Sequence, residues 1–323
     1  MNAPAPGPLP KRRPGTSAGT ESPGCQSRPS TVAPTGAEAP QLRIAVADGG
    51  ICPMLYEWAA ANSWSPGLED FACYLAADPQ SVHVGYLGDE PVSAVIVANH
   101  DQNFAFLGGY MVPPQYRGRG YGRATFDAAM KHAGSRVIGL HAVTNQVQNY
   151  KRSGFSPTYS TWRYSGVLAT PPARPPSEIE IVDAGRVGLA ALMDYDARHF
   201  RARRPAFLQA WISVPGHIAK AALDGDGMIA GFGVIRPAVD HARIGPLYAR
   251  DTGTARVLLH ALTDAMDATV VALDAPETNR ALEPLAADLG LHPEFEMVNM
   301  FTPGSLKPVH HPGVFAVASA ELG

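Results

Sequence analysis

The sequence has little of what membrane, secreted and metal-binding proteins rely on. No apolar run approaches the roughly 18 to 20 residues needed to cross a bilayer. The basic triplet Lys11-Arg12-Arg13 is not followed by the apolar stretch of a secretory signal. Only three cysteines are present, Cys25, Cys52 and Cys73, and their spacing fits neither a disulfide framework nor a zinc site. We therefore expect a cytoplasmic protein with no metal and no membrane partner.

A strong charge of either sign is also absent. The 323 residues carry a formal net charge of −3, with 17% charged and 46% apolar residues. These proportions are those of a globular protein, and they create no overall field that would attract nucleic acid. We predict that nucleic acid is not a partner and that a local basic patch binds any anionic ligand. For the assembly we expect a monomer or a homodimer.

The length of the chain predicts two domains of ordinary size. Residues 1–40 are rich in Pro, Gly, Ser and Thr and predict a disordered tail without an assigned function. A second Pro-rich stretch, TPPARPPS, predicts a stiff linker over 170–178. The boundaries that follow are an N-terminal domain over 41–169 and a C-terminal domain over 179–323.

Alternation and helical spacing predict the same architecture twice. From residue 41 the apolar pattern predicts the order β-α-α-β-β-β-α-β-α-β, in which FSPTYSTWRYSGV supplies two short strands broken at Pro157. After the linker a similar order returns, with a helix break near Pro205 and a closing strand in FAVASAEL. The second half therefore repeats the mixed helix and strand pattern of the first.

The most informative segment is QYRGRGYGRATF, residues 115–126, between a strand and a helix. Glycines let backbone N–H groups approach an anion closely, and the following helix presents its positive end to the same place. Arginines can add charge-assisted hydrogen bonds. A Rossmann or P-loop pattern is not present. The residues that we expect to form this diphosphate cradle are Arg117, Gly118, Arg119, Gly120, Tyr121, Gly122 and Arg123.

This segment resembles the Arg/Gln-x-x-Gly-x-Gly/Ala loop of GNAT acetyltransferases, and NYKRSGF resembles a second mark of that superfamily. The resemblance implies an α/β (α+β) mixed-sheet fold. It would consist of two tandem GNAT-like domains, each a twisted, mostly antiparallel sheet flanked by helices, with a V-shaped splay between central strands. It also implies acetyl-CoA as cosubstrate, with the backbone of Met111 and Val112 beside the pantetheine arm and its thioester.

The second half resembles a C-terminal domain found after GNAT domains in a tandem bacterial group. Its segment ARDTGTA lacks the paired glycines and the arginines of the first half, so we predict a single acetyl-CoA site. In this interpretation the second half supplies substrate-binding surface, although Phe207 and Trp211 have the spacing of an ordinary helix core. The candidate residues for that surface are Asp194, Tyr195, Arg198, Phe207 and Trp211.

The resemblance places Tyr150 where GNAT enzymes carry a general acid for the departing thiolate, and a phenol keeps its proton at neutral pH. A backbone N–H of the Met111-Val112 strand is the expected oxyanion donor. The base is left open because FAFLGGYMV has no carboxylate. His141 is one candidate, although a structural histidine is the simpler interpretation. The other candidates are Glu57, Asp194, Asp196 and a water relay.

The resulting prediction is an acetyl-CoA-dependent N-acetyltransferase that acts on a primary amine of a small molecule by direct attack in a ternary complex. One alternative is a protein or peptide N-acetyltransferase, which would need an open groove beside Tyr150. The other is a non-catalytic CoA-binding sensor or interaction module.

Overall fold

The computed structural model of the protein describes residues 41–169 and 178–323. The strands in these residues are β1 Leu42–Val46, β2 Val82–Leu87, β3 Glu90–Asn99, β4 Phe104–Met111, β5 Val137–Val143, β6 Ser156–Val167, β7 Glu180–Asp183, β8 Ile218–Leu223, β9 Ile229–Pro237, β10 Ala242–Ala249, β11 Val270–Pro276, β12 His292–Phe301 and β13 Val314–Ala316. The α-helices are α1 Cys52–Ala61, α2 Asp70–Ala77, α3 Tyr121–Ala133, α4 Val147–Arg152, α5 Leu189–His199, α6 Pro205–Ser213, α7 Thr252–Met266 and α8 Leu282–Asp288.

The element order of the first half is the one that its sequence predicts, from β1 to β6. The predicted tail over 1–40 lies outside the described residues, as does the predicted linker over 170–178 except for its last residue. Within the described ranges, every helix is too short or too polar to span a bilayer.

The strands form one sheet in which the two halves exchange a strand. The order is β1-β2-β3-β4-β5-β12-β6-β11-β10-β9-β8-β7, with β13 added on β10. β12 of the second half pairs with β5 of the first, and β6 of the first half pairs with β11 of the second. The predicted mixed-sheet fold is confirmed, but the fusion of two sheets into one was not predicted. The boundaries 41–169 and 179–323 stay predictions.

Each half contains a pair of parallel strands that separate. β4 and β5 are hydrogen-bonded over 104–107 and 137–140, and β10 and β11 over 242–244 and 271–273. Beyond these residues the paired strands continue without pairing to each other. This geometry is the predicted V-shaped splay.

The splay of the second half is filled by the chain itself. β13 pairs with β10, and the amide of Val317 donates to the carbonyl of Asp274 on β11 over 2.8 Å. Gly245 makes this approach possible, because a Cβ there would lie 2.2 Å from the carbonyl oxygen of Val317. The groove between β10 and β11 is therefore closed, whereas the groove between β4 and β5 opens into a large cleft.

One hydrophobic core joins the halves. Tyr74 of α2 stacks on Trp211 of α6, with ring centroids 6.4 Å apart, and both side chains are fully buried. An ion pair crosses the same interface, since the guanidinium of Arg236 on β9 donates to both carboxylate oxygens of Asp70 over 2.7 and 3.1 Å. Removing one partner of such a buried pair costs about 3 to 5 kcal/mol.

Two local predictions were wrong. FSPTYSTWRYSGV is not two strands but the single 12-residue strand β6, because Pro157 is its second residue and interrupts little of its pairing. FAVASAEL is not a full strand, since only its first two residues, Phe315 and Ala316, lie in β13. The amides of Leu322 and Gly323 then donate to Ser319 Oγ and the Ser319 carbonyl, which closes a turn.

Candidate active site

The Gly/Arg loop between β4 and α3 forms an open cradle. Gly118 and Gly120 have φ angles of +75° and +84°, a region that disfavours residues with a Cβ. No heavy atom lies within 4 Å of the Cβ position of either glycine, apart from their chain neighbours. Gly120 is the N-cap of the 13-residue helix α3, whose first N–H groups have no intrahelical acceptor. The loop therefore presents donors and the positive end of a helix to open space.

The three arginines of the loop have different surroundings. Arg117 folds back, and its Nε donates to the carbonyl of Val112 over 2.8 Å. Arg123 pairs with Asp127 one helical turn later, over 2.9 Å, and stays exposed. Arg119 is exposed and has no ion-pair partner among the described residues. Arg119 is thus the arginine without a competing partner in the described part of the chain. Arg117 and Arg123 line the cleft next to the loop, whereas Arg119, between the lining residues Gly118 and Gly120, does not.

Gly122 and the side chain of Met111 take part in packing, a role that the prediction of ligand-binding residues did not include. A Cβ on Gly122 would lie 2.6 Å from Val112 and 2.8 Å from the hydroxyl of Tyr110, so this glycine lets α3 pack closely on β4. The side chain of Met111 is buried in the core and does not line the cleft. Any contact of Met111 with a ligand must come from its backbone.

A cleft of about 840 Å³ leads from this loop into the splay between β4 and β5. The cleft is bordered by the parts of β4 after residue 107 and of β5 after residue 140, where the two strands no longer pair. Among the described residues, no strand fills the gap between them. Side chains from both halves line it. They include Tyr110, Tyr121, Asn149, Tyr150, Phe295 and Met297.

Tyr150 lies on α4 and lines this cleft. Its ring meets Phe155 edge-on at a centroid distance of 5.9 Å and packs near Phe126. Burial raises the pKa of Tyr150 well above its usual value. The phenol therefore keeps its proton at neutral pH, as the predicted role of general acid requires.

The inner end of the cleft is formed by segment 317–323, which leaves the second half and runs against β4 and β5. His141 on β5 donates through Nδ1 to the carbonyl of Ala320 over 2.9 Å, since a carbonyl can only accept. Burial lowers the pKa of His141, so the imidazole is neutral at neutral pH. Glu321 lines the cleft beside His141, and its carboxylate accepts a hydrogen bond from Tyr74 over 3.1 Å.

A buried charged cluster borders this end. Arg163 on β6 donates to Asp274 on β11 through Nε over 2.7 Å and through a second nitrogen over 3.1 Å. Arg243 on β10 donates to the same carboxylate. Burial alone would raise the pKa of Asp274, but Arg163 and Arg243 hold it well below the usual range. The cluster of two cations and one anion therefore has a net charge of one positive unit.

The sequence did not identify Glu321 as a site residue. The sequence contained one signal for it, the glycine Gly108 on β4, a strand that has no carboxylate of its own. A Cβ on Gly108 would lie 2.2 Å from the carbonyl oxygen of Glu321. The glycine thus makes room for a residue that arrives from the other half, a contact that local patterns do not encode.

The predicted substrate surface of the second half is not found at this cleft. Phe207, Trp211 and Tyr195 are buried core residues, and the hydroxyl of Tyr195 donates to the carbonyl of Ala230. Asp194 and Arg198 are exposed, and none of the five predicted residues lines the cleft.

The further candidates for the base are equally remote. Asp196 is buried in an ion pair with Arg204 over 2.9 Å. Glu57 and Asp194 are exposed and do not line the cleft. In the part of the chain that the structure describes, no group of three or more His, Cys, Asp or Glu could hold a metal ion. Cys52 and Cys73 are free thiols.

Comparison with known proteins agrees with this geometry. The profile described as acetyltransferase (GNAT) family matches residues 51–155, and a second one, described as acetyltransferase (GNAT) domain, matches residues 192–316. The chain is 31% identical over 269 residues to holothin acyltransferase of Pseudoalteromonas sp. (strain SANK 73390), with 83% of this chain and 90% of the relative covered.

The chain belongs to the GNAT family. It is an acyl-transferring enzyme of the tandem type, in which both halves have GNAT ancestry. The second half is the degenerate one, because β13 fills its groove.

Solved structures share the fold at low sequence identity. A candidate acetyltransferase from Pyrococcus horikoshii superposes with a TM-score of 0.73 at 19% identity, covering 87% of this chain and 96% of the other. A tandem GNAT protein from the clavulanic acid biosynthesis pathway superposes with a TM-score of 0.58 at 17% identity, covering 82% of this chain and all of the other. These likenesses support the fold.

Proposed function

We propose that this GNAT enzyme transfers an acetyl group from acetyl-CoA to a primary amine of a small molecule. The observation that carries the proposal is a continuous cleft that joins the Gly/Arg cradle to a buried polar end through the open splay of the first half. The name of the relative, holothin acyltransferase, also supports a small-molecule acceptor.

The residues of the cradle fit a CoA pyrophosphate. Backbone N–H groups over 118–123 and the exposed guanidinium of Arg119 would hold the diphosphate, while the backbone edge of Met111 and Val112 that does not pair with β5 would accompany the pantetheine arm. Bound acetyl-CoA supplies an activated thioester carbonyl and a thiol leaving group.

Two groups of the chain would act on the reacting atoms at the splay. The phenol of Tyr150 holds a proton that it can give to the departing sulfur, and the pKa of that phenol is raised by burial. A backbone N–H at Val112 would stabilise the oxyanion, because fixed amides need no reorganisation.

The chain that borders the inner end of the cleft favours a small acceptor over a protein. Segment 317–323 and β12 border it, with Ala320, Glu321 and Met297 in the wall. An extended polypeptide needs a groove that continues past the reacting centre. The alternative of a protein acceptor is therefore less well supported by this geometry.

The test is calorimetric titration of acetyl-CoA into wild type, Arg119→Glu and the control Arg280→Glu. Arg280 is exposed in the second half, so the control carries the same change of charge away from the cradle. We expect Arg119→Glu to weaken binding about tenfold or more, because a hydrogen bond to a charged group contributes roughly 1.5 to 3 kcal/mol. Arg280→Glu should bind like wild type.

Turnover is then measured with holothin and a panel of small primary amines. Product from at least one amine is the expected result. Binding without any product would contradict the proposed acceptor class, and equal weakening by both variants would contradict the assignment of the cradle.

A further inference from the structure

We propose that Glu321, carried by the second half, is the general base that accepts the proton of the attacking amine in the cleft of the first half. This inference rests on the proposed function. It assigns the one role that the strands of the first half leave without a carboxylate.

Segment 317–323 is anchored at both of its ends and in its middle. The amide of Val317 bonds to β11, and Arg204 donates to the carbonyl of Gly323 over 2.9 Å. His141 holds the carbonyl of Ala320, and His100 holds that of Leu322 over 3.2 Å. A residue within such a segment has a fixed position, which is what a catalytic group needs.

The carboxylate of Glu321 is available for a proton. Tyr74 donates to Oε2, and no other described residue hydrogen-bonds this carboxylate. The side chain is buried, with 9% of the residue exposed, and it lines the cleft together with His141. Since Oε1 has no protein donor among the described residues, it can accept a hydrogen bond from an amine in the cleft.

The surroundings raise the pKa of Glu321 above that of an ordinary carboxyl group. Burial raises the pKa of Glu321, as do the nearby carboxylates of Asp70 and Asp274, while Arg243 and Arg163 oppose the rise. Tyr74 and Arg236 also face it. A base is most effective when its pKa lies close to the working pH.

The reaction balances with the groups on the page. The amine nitrogen forms a bond to the thioester carbonyl carbon and gives one proton to Glu321, while the carbon–sulfur bond breaks and the thiolate takes a proton from Tyr150. The product is an amide and a thiol. Glu321 then returns its proton through solvent to the Tyr150 phenolate, so no external reactant is consumed.

The competing role is a structural counter-charge. Arg163, Arg243 and Asp274 together carry one excess positive charge, which an ionised Glu321 would neutralise. His141 is the competing base, because its Nε2 is the unprotonated nitrogen when Nδ1 donates to Ala320.

The experiment compares wild type, Glu321→Gln and the control Glu283→Gln, whose carboxylate is exposed on α8. Rates are measured from pH 5 to 10 with a weakly basic aniline-type acceptor, because its own titration falls below this range. We expect Glu321→Gln to lower kcat by about 10² to 10⁴-fold and to abolish the acidic limb of the profile. Acetyl-CoA affinity should stay within about twofold, and Glu283→Gln should match wild type in all readouts.

A second readout needs no turnover. The raised pKa means that the folded protein binds this proton more tightly than the unfolded chain, so wild type loses stability as the pH rises through it. The melting temperature of Glu321→Gln should not show that loss. If this variant does not fold, Glu321→Asp takes its place, and a drop in kcat of at least tenfold at unchanged melting temperature is then expected.

A kcat equal to that of wild type in either Glu321 variant would overturn the inference. An acidic limb of the pH profile that persists in Glu321→Gln at its original pH would also overturn it, and would indicate that His141 is the base. Failure of the proposed function has a different mark, since wild type itself would then bind acetyl-CoA and acylate no amine.

Discussion

Replacing Gly108 by alanine tests whether segment 317–323 completes the cleft. The new Cβ would lie 2.2 Å from the carbonyl oxygen, 2.6 Å from the Cα and 2.8 Å from the carbonyl carbon of Glu321. Carbon and oxygen atoms in ordinary contact are about 3.4 Å or more apart. All three clashing atoms belong to backbone, so no side chain can rotate away, and the segment has to move by roughly 1 Å.

Such overpacking costs about 1 to 3 kcal/mol, and a displacement of about 1 Å at a reacting group can lower the rate on the order of 10²-fold. We expect Gly108→Ala to melt at a lower temperature and to lose about 10²-fold in kcat, while its affinity for acetyl-CoA, which we assign to the Gly/Arg loop, changes little. Circular dichroism melting, calorimetry and steady-state kinetics measure the three effects.

The control is Gly185→Ala, because nothing lies within 4 Å of its Cβ position and its φ is not positive. It should match wild type in all three measurements. If Gly108→Ala retained both the melting temperature and the kcat of wild type, segment 317–323 would be free to move and the reasoning that fixes Glu321 in the cleft would be refuted.

Two further predictions concern groups around the cleft. Asp274→Asn leaves Arg163 and Arg243 buried without their carboxylate, so the free energy of unfolding should fall by about 3 to 5 kcal/mol in denaturant titrations at pH 7. The pKa of Asp274 is depressed in the folded protein. Wild type should therefore lose this extra stability as the pH falls below about 4, where the carboxylate of the unfolded chain takes up its proton. A difference in unfolding free energy between wild type and Asp274→Asn that stays constant down to pH 2 would contradict the pairing. Tyr150→Phe should lower kcat about 10²-fold with unchanged acetyl-CoA affinity, and unchanged kcat in steady-state assays would remove the phenol from the mechanism.

Local patterns were sufficient to predict the Gly/Arg loop and the helix that follows it. The left-handed φ of Gly118 and Gly120 is a property that glycine makes accessible within a few residues, and the start of α3 follows directly from it. The element order from β1 to β6 was predictable for the same reason, since alternation and helical spacing are read within short windows.

Long-range pairing was not predictable from one sequence. The exchange of β6 and β12 depends on which strand edge each one meets after folding, and their own patterns fit either partner. The position of Glu321 depends on the same kind of information. Its segment has the composition of a strand, yet the contacts of Ser319 turn it away from the sheet.

The two grooves explain why one half keeps the cradle and the other does not. An open splay leaves unpaired backbone groups that are costly unless solvent, a ligand or protein satisfies them. In the second half β13 and Val317 satisfy those of β10 and β11, so a phosphate loop there would have no groove to serve. In the first half the corresponding groove stays open to a ligand, and the same stretch of chain, once past the second groove, reaches Gly108. Because β13, which fills the groove of the second half, leads directly into segment 317–323, which borders the cleft of the first half, the position of that segment depends on the packing of the second half.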